Sequence, residues 1–504
     1  MLCDTATSGR HRLSALQEAI ARRVPSSSLD AASPLHGLQR GSVTTVDLVA
    51  QSVAAVAPAG VLLAQTGGLL SRAGSFAYLD LVLTAITVLL VALSMSVFAR
   101  RIAAAGGVYT FVTRSIGPVV GFVAGAAIAL GYASVAIDTL RSGVRRLGGL
   151  ITAESQPTEG NLLLVALVVA IGVVITAVIA LGARMSTRVL LVVEVITVSA
   201  ILVVSTAVFA GTGWNVSGLV PDWGNIPPLD SFASGIGLAL VGFVGFESGA
   251  ALGPESRRPL SNVPRALVWT ASAIAVVYLF SVAAQLSAAA TGTSEGTLLS
   301  NADQLAAIPW IEPTIDGVIA ASWIACTIAC SNALVRLVFT MAREGVLPRA
   351  LGRTSVRFGT PHVAAVVGGG ILVAGTLLVL QLDRETLLRE VISLSTSVGF
   401  IVAYVLVCAG AVVYLARIGE FSLREAWPAL LGTVALLAVM ATTTIAEAES
   451  DLLPLLAFAA VVAVATIVHA VRYRFGSLRR GLGAYDTPVA SDSLSAEGER
   501  TTPL

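Results

Sequence analysis

From Val43 onward, long apolar stretches alternate with short polar segments rich in Arg, Gly and Pro. The apolar stretches fall at 43–66, 76–99, 117–140, 161–182, 188–210, 231–252, 265–288, 314–341, 361–381, 390–415, 427–446 and 452–471. Each is long enough for an α-helix to cross about 30 Å of hydrocarbon. The pattern therefore predicts an all-α membrane protein of about twelve transmembrane helices.

Two of these stretches carry helix breakers at their centres. In Ser52–Gly60, SVAAVAPAG, Pro58 removes a backbone donor and Gly60 relaxes the chain after it. In Gly242–Glu255, GFVGFESGAALGPE, four glycines and Pro254 accompany a carboxylate at Glu247. Unpaired backbone at membrane depth is tolerated only where it lines a site, and the free N-terminus of an interrupted helix attracts an anion. Close helix packing is the plainer explanation of the glycines alone. The interrupted stretches are the first and the sixth, which points to two inverted repeats of five helices with two helices added. The domain organisation expected is a tail at 1–42, a transporter core at 43–415, two further helices at 416–472 and a disordered tail at 473–504.

Composition narrows the function classes. With 56% hydrophobic and 12% charged residues among 504, a soluble domain is excluded, and a net charge of +1 leaves no nucleic-acid footprint. All 31 basic residues are Arg, which removes a P-loop lysine and any Schiff-base lysine. The four His are scattered, and Cys326 and Cys330 share one face of an apolar stretch, where packing explains them better than metal binding. No metal site and no cofactor are expected. No stretch pairs a nucleophile with a base, so an enzyme is not expected either. If the N-terminus is cytoplasmic, fourteen arginines fall in inner loops (Arg100, Arg101, Arg114, Arg184, Arg188, Arg257, Arg258, Arg265, Arg343, Arg349, Arg353, Arg357, Arg417 and Arg424). Six fall in outer ones (Arg72, Arg141, Arg145, Arg146, Arg384 and Arg389). That asymmetry places both termini in the cytoplasm of a multi-pass cell-membrane protein. The basic segment around Leu13–Ile20 reads as a tail or as a short amphipathic helix on the inner surface.

Four segments at consistent spacing resemble the amino acid/polyamine/organocation (APC) permeases. Gly242–Leu267, with GFVGFES followed by GPESRRPLSNVPRAL, is similar to their sixth helix and the loop after it. Asn332–Pro361, NALVRLVFTMAREGVLPRALGRTSVRFGTP, is similar to their eighth. Gly106–Gly121, GGVYTFVTRSIGPVVG, resembles the start of their third, and Ala57–Pro58 the break in their first. The resemblance covers roughly 43–415 and implies a leucine-transporter-type fold that binds amino acids or polyamines between helices 1 and 6. It implies that the backbone amides near Ala59, Gly60 and Val61 hold the substrate carboxylate. Carbonyls around Ala54 and Ala55 and of Val241, Gly242 and Phe243 would receive the ammonium. Phe243 and Phe246 would shape or gate the pocket, although plain packing is the commoner role for such rings.

Buried carboxylates in a membrane are expensive and so are candidate functional groups. Glu247, at the second break, is the first candidate for a proton carrier, against the alternative of a structural hydrogen bond. Glu194 is the second; it falls where proton-coupled relatives can carry a lysine, which puts their mechanism in doubt here. Asp138 reads as a surface partner of Arg141. Asn332 and Arg336 read as a structural stripe, in which Arg336 cannot shed its charge and must find a partner. Arg257, Arg258 and Arg265 with Glu255, and Arg343 with Glu344, are expected to form loop ion pairs. The sequence thus points to a secondary active transporter of amino acids or related amines that is proton-coupled or an exchanger. A sodium-coupled symporter of the same fold and a permease-like nutrient sensor are the alternatives.

Overall fold

The computed structural model describes residues 33–64, 66–152, 161–224, 226–290, 311–383, 385–450, 452–476 and 482–486. It divides into a small unit, residues 1–36 and 486–504, and a large one, residues 37–485. Within the small unit, the Ser33 hydroxyl donates to Asp486 Oδ1 at 2.8 Å. The segment around Leu13–Ile20 lies outside the described residues.

The large unit is helical because its apolar stretches have no other way to satisfy their backbone in lipid. In chain order the helices are α1 (Thr45–Val56), α2 (Pro58–Ala64), α3 (Thr66–Ala73), α4 (Ala77–Ala99), α5 (Val108–Ser115), α6 (Pro118–Thr152), α7 (Leu162–Leu181) and α8 (Ala183–Gly211). They continue as α9 (Leu229–Val241), α10 (Pro259–Ala290), α11 (Ile311–Arg343), α12 (His362–Gln381), α13 (Leu387–Arg417), α14 (Leu423–Ser450) and α15 (Leu453–Phe475). Eleven of the described helical segments, with α1–α2 and α3–α4 each counted as one, are long and apolar enough to cross a membrane. The sixth predicted stretch is the exception. It is α9, then a run of turns through Glu247, then a 3-10 segment at Ser248–Glu255.

Local signals set the boundaries. Thr44 caps α1 reciprocally with Asp47: the hydroxyl accepts the Asp47 amide at 3.4 Å and Asp47 Oδ2 accepts the Thr44 amide at 2.8 Å. Asn161 caps α7 by accepting the Leu163 amide at 3.0 Å. The start of the first crossing is tied to the end of the sixth by a two-bond bridge, Val43 N–H to Glu255 O and Arg257 N–H to Val43 O.

Burial separates a centre from a periphery. The first crossing is 78% buried and α11 72%, whereas α14 and α15 are 28% and 22% buried. The outer helices turn Val173, Val192, Ile371, Val434 and Ile467 outward, which suits lipid contact. At the centre α11 and α13 both pack along α6, and α10 packs along α4.

Two expectations differ from the structure. The third stretch does not end near 140: α6 runs to Thr152, so Arg141, Arg145 and Arg146 are helical and not in a loop. Buried Gly143, Val144 and Gly148 continue its packed face, and Arg146 is neutralised by Asp316 of α11 at 2.5 Å. The chain after Tyr473 is ordered in part, since α15 reaches Phe475 and Leu482 and Tyr485 pack on the core.

Candidate functional site

The first crossing stops at Ala57, whose φ of 52° and ψ of 62° are left-handed and whose amide bonds back to Val53 O and Ala54 O. Pro58 then opens α2, so the first-turn amides that follow have no helical carbonyl before them. One of these, Gly60 N–H, reaches the Ser322 hydroxyl of α11 at 3.3 Å. A Cβ on Gly60 would come within 2.5 Å of the Trp323 indole, so the glycine is what lets that ring lie on the break.

The second break faces the first. Gly245 has φ +100°, and a Cβ there would sit 2.7 Å from Ala55 O and 2.8 Å from Ala55 Cβ. Only glycine supplies both the backbone angle and the close approach. Further contacts bind the two segments: Gly249 N–H donates to the Ser52 hydroxyl at 3.0 Å, and the Ser248 hydroxyl to Gln51 O at 3.3 Å. The structure thus brings Ala54, Ala55, Ala59, Gly60 and Val61 together with Val241, Gly242, Phe243 and Phe246, and most of them are buried. The backbone acceptors among them are engaged from within the protein. Ala55 O accepts Cys326 Sγ–H at 3.1 Å, and Gly242 O accepts the Tyr278 hydroxyl at 2.7 Å.

Glu247 is 3% exposed and accepts two phenols, Tyr132 of α6 on Oε1 at 2.6 Å and Tyr404 of α13 on Oε2. Beyond it Gly106, Gly107, Tyr132 and Ala250 line a cavity of about 20 Å³, room for one water. Glu194 on α8 is 4% exposed. Its Oε2 accepts the Thr197 hydroxyl at 3.4 Å, while Oε1 has no partner among the described residues.

The sequence analysis named Arg336, Asn332 and Glu255 but not how they pair, and it did not name Gln51. Arg336 finds its partner in Glu255: Nε and Nη2 lie 2.8 and 2.7 Å from Oε1, with both side chains 1% exposed. Glu255 therefore pairs across to α11 and not with Arg257 or Arg258 of its own loop or with Arg265 of α10. Arg336 also donates to the main-chain and side-chain oxygens of Asn332. Asn332 in turn donates to Gln51 Oε1 at 2.9 Å, and Gln51 Nε2 to Ala329 O at 2.8 Å. A polar Gln51–Ser52 pair inside an apolar stretch was the signal available. Asp80 of α4 was missed as well; it is fully buried, lies against Gly235 of α9, and both oxygens lack partners among the described residues. Asp138 lies in range of both Arg141 and Arg389. Glu344 is not engaged by Arg343, which covers the Phe339 ring at 5.1 Å. Instead Glu344 accepts the Tyr109 hydroxyl and, at 2.6 Å, the Ala484 amide. Burial pushes its carboxyl above the usual range, and those hydrogen bonds offset part of the rise.

Known proteins share this architecture. The structure of MhsT in complex with L-phenylalanine superposes with a TM-score of 0.57 at 13% identity, covering 80% of this chain and 99% of that one. The leucine-transporter-type fold is thereby shown. The branched-chain amino acid permease BcaP of Bacillus subtilis (strain 168) is 25% identical over 63% of this chain and 70% of its own. The methylthioribose transporter of the same organism is 24% identical over 69% and 78% respectively. The model of the family described as amino acid permease matches residues 43–468, nearly the whole helical unit. The chain is a multi-pass membrane transporter and not an enzyme, and it belongs to the amino acid permease family.

Proposed function

We propose that the protein moves a neutral amino acid with an apolar side chain, bound between the breaks of the first and sixth crossings. The observation that carries this reading is the abutment of the two breaks at Ala55 and Gly245. Around them, Val61, Phe243, Phe246, Tyr278 and Trp323 offer apolar surface, and the carboxylate nearby is already held by two phenols. The name of the branched-chain permease relative agrees with such a substrate. In this reading the amides at Ala59 and Gly60 take the carboxylate once Ser322 releases Gly60, whereas the Val61 amide, expected to share in this, is already bonded to Ala57 O. The carbonyls of Ala55 and Gly242 take the ammonium once Cys326 and Tyr278 release them, while those of Ala54, Val241 and Phe243 already accept the amides of Ala57, Val244 and Phe246. Trp323 must leave Gly60 for the ligand to enter.

Coupling is proposed to run through Glu247 and secondarily Glu194, since Lys is absent and Arg cannot release its proton. Both termini are cytoplasmic, residues 43–415 form the core and 416–472 an addition. The test is uptake into proteoliposomes of a panel of radiolabelled amino acids, with methylthioribose as a separate candidate, under imposed pH or sodium gradients. Leucine-like substrates are expected to accumulate under a pH gradient, and Glu247→Gln to keep exchange while losing that dependence. Accumulation driven by sodium alone, or by a pH gradient undiminished when both Glu247→Gln and Glu194→Gln are present, refutes the coupling. Unchanged ligand affinity in Gly245→Trp refutes the site.

A further inference from the structure

The loop between α11 and α12 closes on itself over a basic hollow. Leu351 N–H donates to Pro348 O at 3.0 Å and Arg353 N–H to Ala350 O at 3.2 Å, which forms a short 3-10 turn. Ser355 N–H to Thr360 O at 2.8 Å and Gly359 N–H to Ser355 O at 2.9 Å close the next one. The Thr360 hydroxyl fastens the whole to Ala180 O of α7 at 2.7 Å. The hollow is a cavity of about 460 Å³ whose lining includes Arg343, Arg349, Arg353, Thr354 and His362.

Among the described residues no carboxylate belongs to the lining, and Glu344, next to Arg343 in the chain, is committed to Tyr109 and Ala484. Among the described residues neither Arg349 nor Arg353 is paired with a carboxylate. His362 Nδ1 is buried without a hydrogen-bond partner among the described residues. His362 also opens α12, a helix of 20 residues whose N-cap, Pro361, offers no side-chain acceptor to the first amides. Such a helix start adds positive potential to that of the Arg349 and Arg353 guanidinium groups.

We propose that this hollow is a binding site for a phosphate-bearing anion. Guanidinium forks match phosphate oxygens in pairs, and the two on this loop, Arg349 and Arg353, beside the His362 imidazole offer more donors than a carboxylate needs. The volume exceeds that of a bare ion and suits a phosphate ester with part of its alcohol. Two membrane-crossing helices, α11 and α12, emerge at the hollow, and Val356 at the loop tip is fully exposed beside Arg357. A phospholipid headgroup and a soluble phosphate ester carry the same recognised chemistry.

Purified full-length protein in phosphatidylcholine nanodiscs distinguishes the sources. One arm adds phosphatidylglycerol to the bilayer; the other adds inorganic phosphate or glycerol 3-phosphate in solution. Thermal denaturation and native mass spectrometry read binding in both. Arg349 and Arg353 are exposed outside the spans, so Arg349→Gln/Arg353→Gln is expected to fold as the parent does. Saturable stabilisation in the first arm alone identifies a headgroup, and saturable stabilisation in the second a soluble ester. Either supports the site when the double variant weakens it at least tenfold while Arg417→Gln/Arg424→Gln does not. No response in either arm, or equal weakening in both variants, overturns it.

Discussion

The buried pair of Glu255 and Arg336 offers the sharpest test of how this core is held. Both side chains are 1% exposed, and Glu255 Oε1 takes Nε at 2.8 Å and Nη2 at 2.7 Å. Taking both charges out of water is costly, and the gain returns only while they face each other. Glu255→Gln leaves a cation that cannot deprotonate among apolar neighbours, and Arg336→Met leaves a carboxylate whose Oε2 already lacks a partner among the described residues. Each single change is expected to destabilise by about 3–5 kcal/mol. Replacing both, as Glu255→Leu/Arg336→Met, removes the stranded charge. The remaining cost is then the donor that Asn332 Oδ1 loses, about 1–3 kcal/mol. The double variant should therefore be more stable than either single one, with a coupling of at least about 3 kcal/mol. Reversible unfolding of the four proteins in mixed micelles measures the cycle. Additive single effects, or single effects below about 1 kcal/mol, would show that water or another group already screens the pair.

Three further outcomes are expected. Because burial holds the Glu344 carboxyl above its unfolded value, its contribution to stability is fully present below the unfolded value and is lost as pH rises through the raised folded one. Thermal stability measured from pH 4 to pH 8 should therefore fall less steeply in Glu344→Gln than in the parent, and parallel curves exclude a titrating Glu344. Trp323→Ala clears the indole from Gly60 at a packing cost of about 3–5 kcal/mol. It should admit larger apolar amino acids, read as a shift in competition profiles for uptake; an unchanged size preference places the ligand away from that ring. In a cysteine-free background, Val356→Cys should label with an impermeant maleimide from the cytoplasmic side and Val220→Cys from the outside, both positions being exposed. The opposite pattern reverses the orientation argued from arginine placement.

The sequence by itself determined the helical class, the crossings and the two breaks. Those features are local: an apolar stretch in lipid must close its own hydrogen bonds, and Pro58 or a glycine-rich run such as Gly242–Gly253 prevents it from doing so. It even indicated which two crossings meet, since a repeat of five helices in each half is a property of chain order. It misjudged lengths where charge looked like an ending: α6 runs on through Arg141, Arg145 and Arg146, and Asp316 of α11 lies beside Arg146. Only tertiary structure decided the partners. That Glu247 is held by Tyr132 and Tyr404, from helices 115 and 157 residues away in the chain, follows from packing and not from any spacing. The same holds for Glu255, which the chain sets near Arg257, Arg258 and Arg265 and the fold gives to a fourth arginine, Arg336, on α11. The physical reason is that exposed loop charges gain little from one another, whereas a buried cation must be neutralised by whichever carboxylate the packing brings within reach.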